Sequence, residues 1–156
     1  MHKRAFRITL ALLALIGLVL AGYLVKEHYA STGASFCDIN AQFNCGAVNQ
    51  SQYAVFLGVP VAVLGLLYYL LLLGFAASEP ILRRGLDLDD ELAALLAVGL
   101  ALLGLLFSAY LTGIEAFVLH VFCPLCLGSA AVVLIFNCLA FPQWRQAVRR
   151  QGKKSY

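Results

Sequence analysis

Charged residues are scarce in this sequence. Asp, Glu, Lys and Arg make up only 12% of its 156 residues, 62% are hydrophobic, and the mean hydropathy is +0.87. Soluble domains carry about twice that share of charge, so the composition excludes an ordinary soluble protein and indicates an integral membrane protein. A continuous basic patch is also lacking, because Lys and Arg stand at the termini and beside apolar runs. The net charge of +3 therefore does not indicate nucleic-acid binding.

Four apolar runs approach the length needed to cross a bilayer core of about 30 Å. The predicted fold is an all-α integral membrane protein, a bundle of four transmembrane helices in which an outer loop or a short helix caps the active site. A cleaved signal peptide is the alternative for the first run, although an apolar core of about 7–15 residues is usual there. The sequence predicts one membrane domain over 1–156, with an outer loop at 27–58 and spans at about 5–25, 59–77, 92–112 and 124–141.

Pro124 determines where the last span begins. A helix unbroken from Ala116 would hold this proline in its interior, at a cost of about 3 kcal/mol. We prefer a helix that starts at Pro124, because the first turn needs no N–H at that position. In the third span, Gly99 and Gly104 are expected to be points of close helix approach.

Basic residues predict the orientation of the bundle. Ten of the eleven Lys and Arg fall on one side of the four-span arrangement, and only Lys26 falls on the other. By the positive-inside rule, both termini are expected in the cytoplasm. The loop and the turn before Cys123 then face the outside, which is the periplasm if the membrane is a bacterial inner membrane.

Four of the five cysteines form two pairs on that outer side. Cys37 and Cys45 lie in the loop, and Cys123-Pro-Leu-Cys126 opens the last span. Disulfides persist in oxidising compartments, and two such pairs can pass electrons by successive thiol–disulfide exchange. Two inert disulfides or a four-thiolate zinc site are the alternatives; we expect no metal.

The sequence also predicts the location of individual residues in and near the second pair. Cys123 is expected at the helix N-cap, where the helix dipole favours a thiolate, and Cys126 one turn inward, facing the bundle. Cys138 is expected to be a small buried core residue. Glu115 is expected to be a surface anchor and His120 a solvated side chain.

The sequence resembles the vitamin K epoxide reductase family over about residues 5–141, as a bacterial-type homologue without a fused thioredoxin-like domain. Two cysteine pairs in this order are more specific than a lone C-x-x-C. The resemblance is carried by Cys37-Asp-Ile-Asn-Ala-Gln-Phe-Asn-Cys45, Val48, Ser51, Leu64-Gly-Leu-Leu-Tyr-Tyr69 and Cys123-x-x-Cys126.

This resemblance implies a membrane quinone of the ubiquinone, menaquinone or vitamin K type as electron acceptor. By position, Cys37 would meet a partner protein, Cys45 would exchange with Cys123, and Cys126 would react with the quinone. Ser51 would lie near the quinone. Besides membrane lipid, the expected partner is a thioredoxin-like (DsbA-like) protein in trans.

Two departures from the family bear on the reaction. Animal members have an asparagine where this sequence has Val61, and a tyrosine where it has Ala130. The resemblance therefore favours a quinone-dependent protein-thiol oxidase that supports disulfide formation. The alternatives are reduction of vitamin K or its epoxide by the same cysteines, and a cysteine-based metal transporter.

Overall fold

The structure is a computed structural model that describes residues 2–30, 35–85 and 90–152, with side chains at 5–30, 35–76, 95–96 and 98–142. These ranges are mostly helical. The elements are α1 (His2–Tyr29), α2 (Cys45–Asn49), a 3-10 turn (Gln52–Ala54), β1 (Val55–Phe56), β2 (Val59–Pro60), α3 (Val61–Gly85), α4 (Asp90–Ile114), a π-helical turn (Glu115–Leu119) and α5 (Pro124–Gly152).

Within the part of the chain that the structure describes, three helical stretches are long and apolar enough to cross a membrane: Ala5–Tyr29, Val98–Leu119 and Pro124–Pro142. A shorter apolar stretch, Val61–Ala76, belongs to α3. Large apolar side chains project from these helices, as Leu106 does with 70% of its surface exposed, which suits contact with lipid. The predicted helical membrane fold is thus confirmed, and the fourth span stays a prediction.

Helix ends differ from the apolar boundaries read in the sequence. The stretch between the second and third predicted spans, residues 78–91, is helical up to Gly85 and again from Asp90. Hydropathy marks where an apolar run ends, and a helix can continue beyond that point. Residues 86–89 lie outside the described chain. The last helix begins at Pro124 and continues through Pro142. The basic side chains at 3–4, 83–84 and 145–154, which carry most of the orientation argument, are also outside the described side chains.

A small β-hairpin interrupts the otherwise helical chain. Val55 pairs with Pro60 and Phe56 with Val59, so the span expected from about 59 begins with a strand and its helix starts two residues later. Leu57 and Gly58 connect the strands with φ of 51° and 82°, the backbone of a type I′ turn. Strands of two residues leave too little alternation to be predicted from sequence.

Helix packing leaves one side of the bundle loosely closed. Along its length α1 packs against α3 and α5, and α4 packs against α5, whereas α3 and α4 meet at few points. A buried apolar cluster joins these helices in the membrane-spanning part, formed by Ala14, Ala21, Tyr69, Leu72, Ala101, Val132, Val133, Phe136 and Ala140.

Glycines allow two tyrosines of α3 to lie close to neighbouring helices. A Cβ at Gly17 would overlap the ring of Tyr69, and one at Gly104 would overlap the end of Tyr68. The close approach predicted at Gly104 is therefore present. The one predicted at Gly99 is wrong, because a Cβ there meets none of the described atoms within 4 Å.

Gly17→Ala is expected to lower the free energy of unfolding by about 1–3 kcal/mol, since the added methyl must displace the fully buried Tyr69 ring. Gly99→Ala is the matched control, and we expect no loss because its site is open. Thermal unfolding of the purified protein in detergent measures both. Equal melting temperatures for the two variants would contradict the packing described at Gly17.

Candidate active site

A short backbone pairing holds the outer loop against the start of α5. The Phe122 N–H donates to the Gln42 carbonyl over 2.7 Å, and the Asn44 N–H donates to the Phe122 carbonyl over 3.0 Å. Phe43 and Phe122 thereby form an isolated parallel β-bridge. In each segment a cysteine follows directly, so the pairing brings together one cysteine from each predicted pair.

The loop pair, Cys37 and Cys45, is joined by a disulfide with a Cα–Cα distance of 5.7 Å. Both residues are buried. The Cys37 sulfur also lies 3.2 Å from the Ser35 hydroxyl. At the other end, the Asn44 side chain accepts from the Ala47 N–H over 2.7 Å and caps α2, which begins at Cys45. The disulfide is therefore held inside an ordered turn-and-helix unit.

Asp38 organises this unit electrostatically. Its carboxylate accepts backbone N–H groups from Gly46 and Ser35, each over 2.9 Å. These hydrogen bonds, the one from Gly46 first, lower the pKa of Asp38 below its ordinary value of 3.8, because they favour the charged form. Asp38 thus ties together the two sides of the disulfide loop, a role that its position beside Cys37 did not reveal.

Helix α2 is attached to the outer end of α1 by two hydrogen bonds. The Asn49 side-chain amide donates to the Leu24 carbonyl over 2.8 Å. His28 Nδ1 lies 2.8 Å from the Asn49 carbonyl, and since a carbonyl only accepts, this ring nitrogen carries the proton. The outer loop is therefore fixed to α1 as well as to α5.

Cys123 is completely buried beneath the loop. It shares one buried apolar cluster with Cys45, Cys37, Leu24 and Ala62. Its own backbone occupies the position before Pro124, where α5 begins. The structure thus places Cys123 in the same buried cluster as both cysteines of the loop pair.

Cys126 lies one helical turn further along α5. Its backbone N–H donates to the Cys123 sulfur over 3.2 Å, as expected for a cysteine at a helix N-cap. Both cysteines are free thiols here. Cys126 lines a cavity and Cys123 is not among the lining residues described for it. The C-x-x-C is consequently polarised, with one thiol beside the loop pair and the other on the cavity.

This cavity has a volume of about 310 Å³ and lies between the loop and the helices. Its size is at the lower end of the range for small-molecule sites. Apolar side chains of α1, α3, α4 and α5 form most of its wall, and a few polar groups interrupt them. Those polar or ionisable groups belong to Asn49, Ser51, Tyr53, Tyr68, Tyr69, Ser108, Thr112, Glu115, Cys126 and Ser129.

Ser51 lines the cavity from the loop side. The Ser51 hydroxyl donates its proton to the Val48 carbonyl over 2.8 Å. In this arrangement Ser51 can only accept a hydrogen bond from a bound ligand. For Ser51 to donate to a bound carbonyl, the hydroxyl must rotate away from Val48.

Glu115 is buried, with only 3% of its surface exposed, so the expectation of a surface anchor is wrong. Its Oε2 accepts the Cys123 N–H over 3.0 Å, and Glu115 lines the cavity together with Cys126. The π-helical turn that begins at Glu115 ends at His120, which is exposed and left-handed with φ of 52°. An acidic residue within an apolar span is a signal that points to function, and it could have identified this residue.

Tyr68 and Tyr69 contribute phenol groups that the sequence did not single out. The Tyr69 hydroxyl lies 2.7 Å from the Ser129 hydroxyl. Among the described residues, the buried Tyr68 hydroxyl has no hydrogen-bond partner. Both tyrosines line the cavity.

Cys138 is exposed, so the expectation of a buried core residue is wrong. It lies on a membrane-spanning stretch of α5, where an exposed position faces lipid and a small apolar thiol is not penalised. Helical rise separates it from Cys126 by about 18 Å. Cys138 is accordingly not part of the site.

A family model, described as the vitamin K epoxide reductase family, matches residues 8–141 of the 156. The match includes both cysteine pairs, Ser51 and Glu115. It also includes the cavity wall described above.

Proposed function

Because this chain belongs to the vitamin K epoxide reductase family, whose members are membrane oxidoreductases acting on thiols and disulfides, we propose that it is a quinone-dependent protein-thiol oxidase that supports disulfide formation. Electrons pass from a thioredoxin-like (DsbA-like) partner in trans to the loop pair. They continue through Cys123 and Cys126 to a quinone of the ubiquinone, menaquinone or vitamin K type.

One observation carries the proposal, namely the arrangement of the two cysteine pairs around the cavity. The first cysteine of the C-x-x-C lies in the cluster of the loop pair, and the second lies on the cavity. Cys45 and Cys123 share a buried cluster, and Cys126 lines the cavity. This order supports a relay in which the loop pair is reoxidised by the C-x-x-C and the C-x-x-C by a bound quinone.

The relay balances in electrons and protons. A thiolate of the reduced partner attacks the disulfide at Cys37, the partner's second thiol resolves the mixed disulfide, and Cys37 and Cys45 become thiols. Cys45 then attacks oxidised Cys123, Cys37 closes the loop disulfide again, and the dithiol of Cys123 and Cys126 results. Its reoxidation releases two electrons and two protons, which together convert a quinone to a hydroquinone.

Access to the loop pair requires movement. Cys37 is only 3% exposed, so a partner thiolate cannot reach its sulfur in the arrangement described. Phe36, the preceding residue, is 73% exposed and is a suitable contact for an apolar groove on the partner. We propose that partner docking at Phe36 opens this turn.

The cavity wall favours thiol oxidation over epoxide reduction. Val61 and Ala130 both line the cavity, so the positions where animal members have asparagine and tyrosine are present at the site but offer no polar group. Reduction of vitamin K or its epoxide by the same cysteines is the second candidate, and epoxide turnover distinguishes the two.

We further propose that residues 1–156 form one domain of four spans, with the loop as a cap and both termini in the cytoplasm. The cavity then opens into lipid, which supplies the quinone, and the loop pair faces the outside. Since Asn49, Ser51, Tyr53 and Phe56 of the loop line the cavity, the loop is positioned to act as such a cap.

The proposal is tested by mixing purified protein with a reduced DsbA-like protein and a short-chain quinone under anaerobic conditions. We expect one partner disulfide for each hydroquinone formed. Cys138→Ser is the control variant and is expected to behave as the wild type. Repeated turnover of the partner without quinone, beyond the single round that the loop disulfide supports, would contradict the proposal. Stoichiometric bound metal with no response to quinone would favour the metal-transporter alternative.

A further inference from the structure

Glu115 is a buried carboxyl group at the start of the C-x-x-C helix. It accepts the Cys123 N–H over 3.0 Å, and the Cys126 N–H in turn donates to the Cys123 sulfur over 3.2 Å. Glu115 and Cys126 both line the cavity. One carboxyl group therefore shares the cavity wall with the residue that would react with the quinone.

The described part of the cavity wall offers Glu115 no permanent counter-ion. Among the described residues that line the cavity, none is Lys, Arg or His. Burying a carboxylate in such a place is costly, and a hydrogen bond to one backbone N–H compensates only in part. An apolar cavity that keeps an acid beside a reactive thiol is the arrangement expected of a proton-transfer group.

We propose that Glu115 is a catalytic residue that transfers the proton between Cys126 and the quinone, a role that rests on the proposed thiol oxidase function. The Glu115 carboxylate accepts the proton of the Cys126 thiol as two electrons leave the dithiol. Cys123 and Cys126 form their disulfide, and the protonated carboxyl donates to one quinone oxygen. The second proton, from Cys123, completes the hydroquinone, and Glu115 returns to its starting state.

A purely structural role makes a different prediction. As an N-cap partner for α5, Glu115 needs only an oxygen acceptor for the Cys123 N–H, and a glutamine supplies one. The variant Glu115→Gln therefore keeps the cap but removes the transferable proton. Glu27→Gln makes the same chemical change near the outer end of α1, at a residue that is not among those lining the cavity, and serves as the matched control.

The experiment follows two half-reactions separately by rapid mixing. Fully reduced protein is mixed with a short-chain quinone, and oxidised protein is mixed with a reduced dithiol protein in the absence of quinone. For Glu115→Gln, we expect quinone reduction to slow about 100-fold, the lower end for a general acid–base group, and the dithiol reaction to change less than two-fold. Glu27→Gln is expected to match the wild type in both.

The pH profile gives a second readout. We expect the rate of quinone reduction in the wild type to depend on an ionisation that is absent in Glu115→Gln. The other titratable groups that face this region are the thiols of Cys123 and Cys126 and the phenols of Tyr53, Tyr68 and Tyr69. All of them remain in the variant, so a lost ionisation is assigned to Glu115.

The possible outcomes separate the proton-transfer role of Glu115 from the proposed thiol oxidase function. Equal quinone rates and profiles in wild type and Glu115→Gln overturn the proton-transfer role while leaving the thiol oxidase intact. Equal losses in both half-reactions also overturn it, because they indicate a structural role. A wild-type protein that does not reduce quinone overturns the oxidase itself. If Glu115→Gln fails to fold, Glu115→Asp decides, and a rate no better than that of Glu115→Ala contradicts the proposal.

Discussion

Cys126→Ser is expected to abolish quinone reduction, with a loss on the order of 1,000-fold or more, as for removal of a catalytic nucleophile. Cys126 is the C-x-x-C thiol that lines the cavity. Serine keeps the side-chain size but cannot form the disulfide that drives reduction of the acceptor. Anaerobic mixing of the reduced variant with quinone, followed by its absorbance change, measures this loss.

The same variant should retain the first exchange. The loop disulfide between Cys37 and Cys45 is intact in Cys126→Ser, so a reduced partner is expected to reduce it once and then stop. Cys138→Ser removes a lipid-facing thiol and is expected to leave turnover unchanged. Sustained turnover by Cys126→Ser would mean that quinone is reduced elsewhere, and the order of the relay would be wrong.

Features with a strong local cause were the ones that the sequence predicted well. The start of α5 at Pro124 follows from the chemistry of one residue, which lacks an N–H and is favoured in the first turn of a helix. Membrane spanning follows from the length of the apolar runs. The separation of the two thiols, with Cys123 in the buried cluster of the loop pair and Cys126 on the cavity, follows from the one helical turn between them.

Features that depend on which side of a helix faces the bundle were not predictable. In a membrane helix both the lipid-facing and the buried sides are apolar, so hydrophobic periodicity does not mark the inner face. Cys138 was therefore assigned to the core but faces outward. Glu115 was assigned to the surface because it follows the predicted span, although an acidic residue within an apolar stretch is itself a signal of function.

The contact between the two cysteine pairs depends on a pairing that is distant in sequence. A bridge between Phe43 and Phe122 joins segments 79 residues apart in the numbering, and both are too short to show strand alternation. The resemblance to a family implied that Cys45 exchanges with Cys123. The structure adds the backbone hydrogen bonds that bring the two residues together, and these make the order of exchange testable.

Cys37→Ser is expected to yield a disulfide between Cys45 and Cys123 once the C-x-x-C has been oxidised by quinone. Without its loop partner, the Cys45 thiolate attacks the nearest disulfide sulfur, and Cys126 is released as a thiol. Burial in a common cluster makes this exchange intramolecular, which favours it strongly over reaction with external thiols. Alkylation of free thiols followed by peptide mapping without reductant identifies the bond.

Cys45→Ser is the matched variant, because it leaves the other loop thiol in the same cluster. We expect far less bonding between Cys37 and Cys123 in this variant, since the Asn44–Phe122 hydrogen bond aligns the residue after Asn44 with the residue after Phe122. Equal yields from the two variants would show that burial alone, and not backbone pairing, selects the exchange partner. A preference for Cys45 would instead mean that the bridge between Phe43 and Phe122 selects which cysteine of the loop pair exchanges with Cys123.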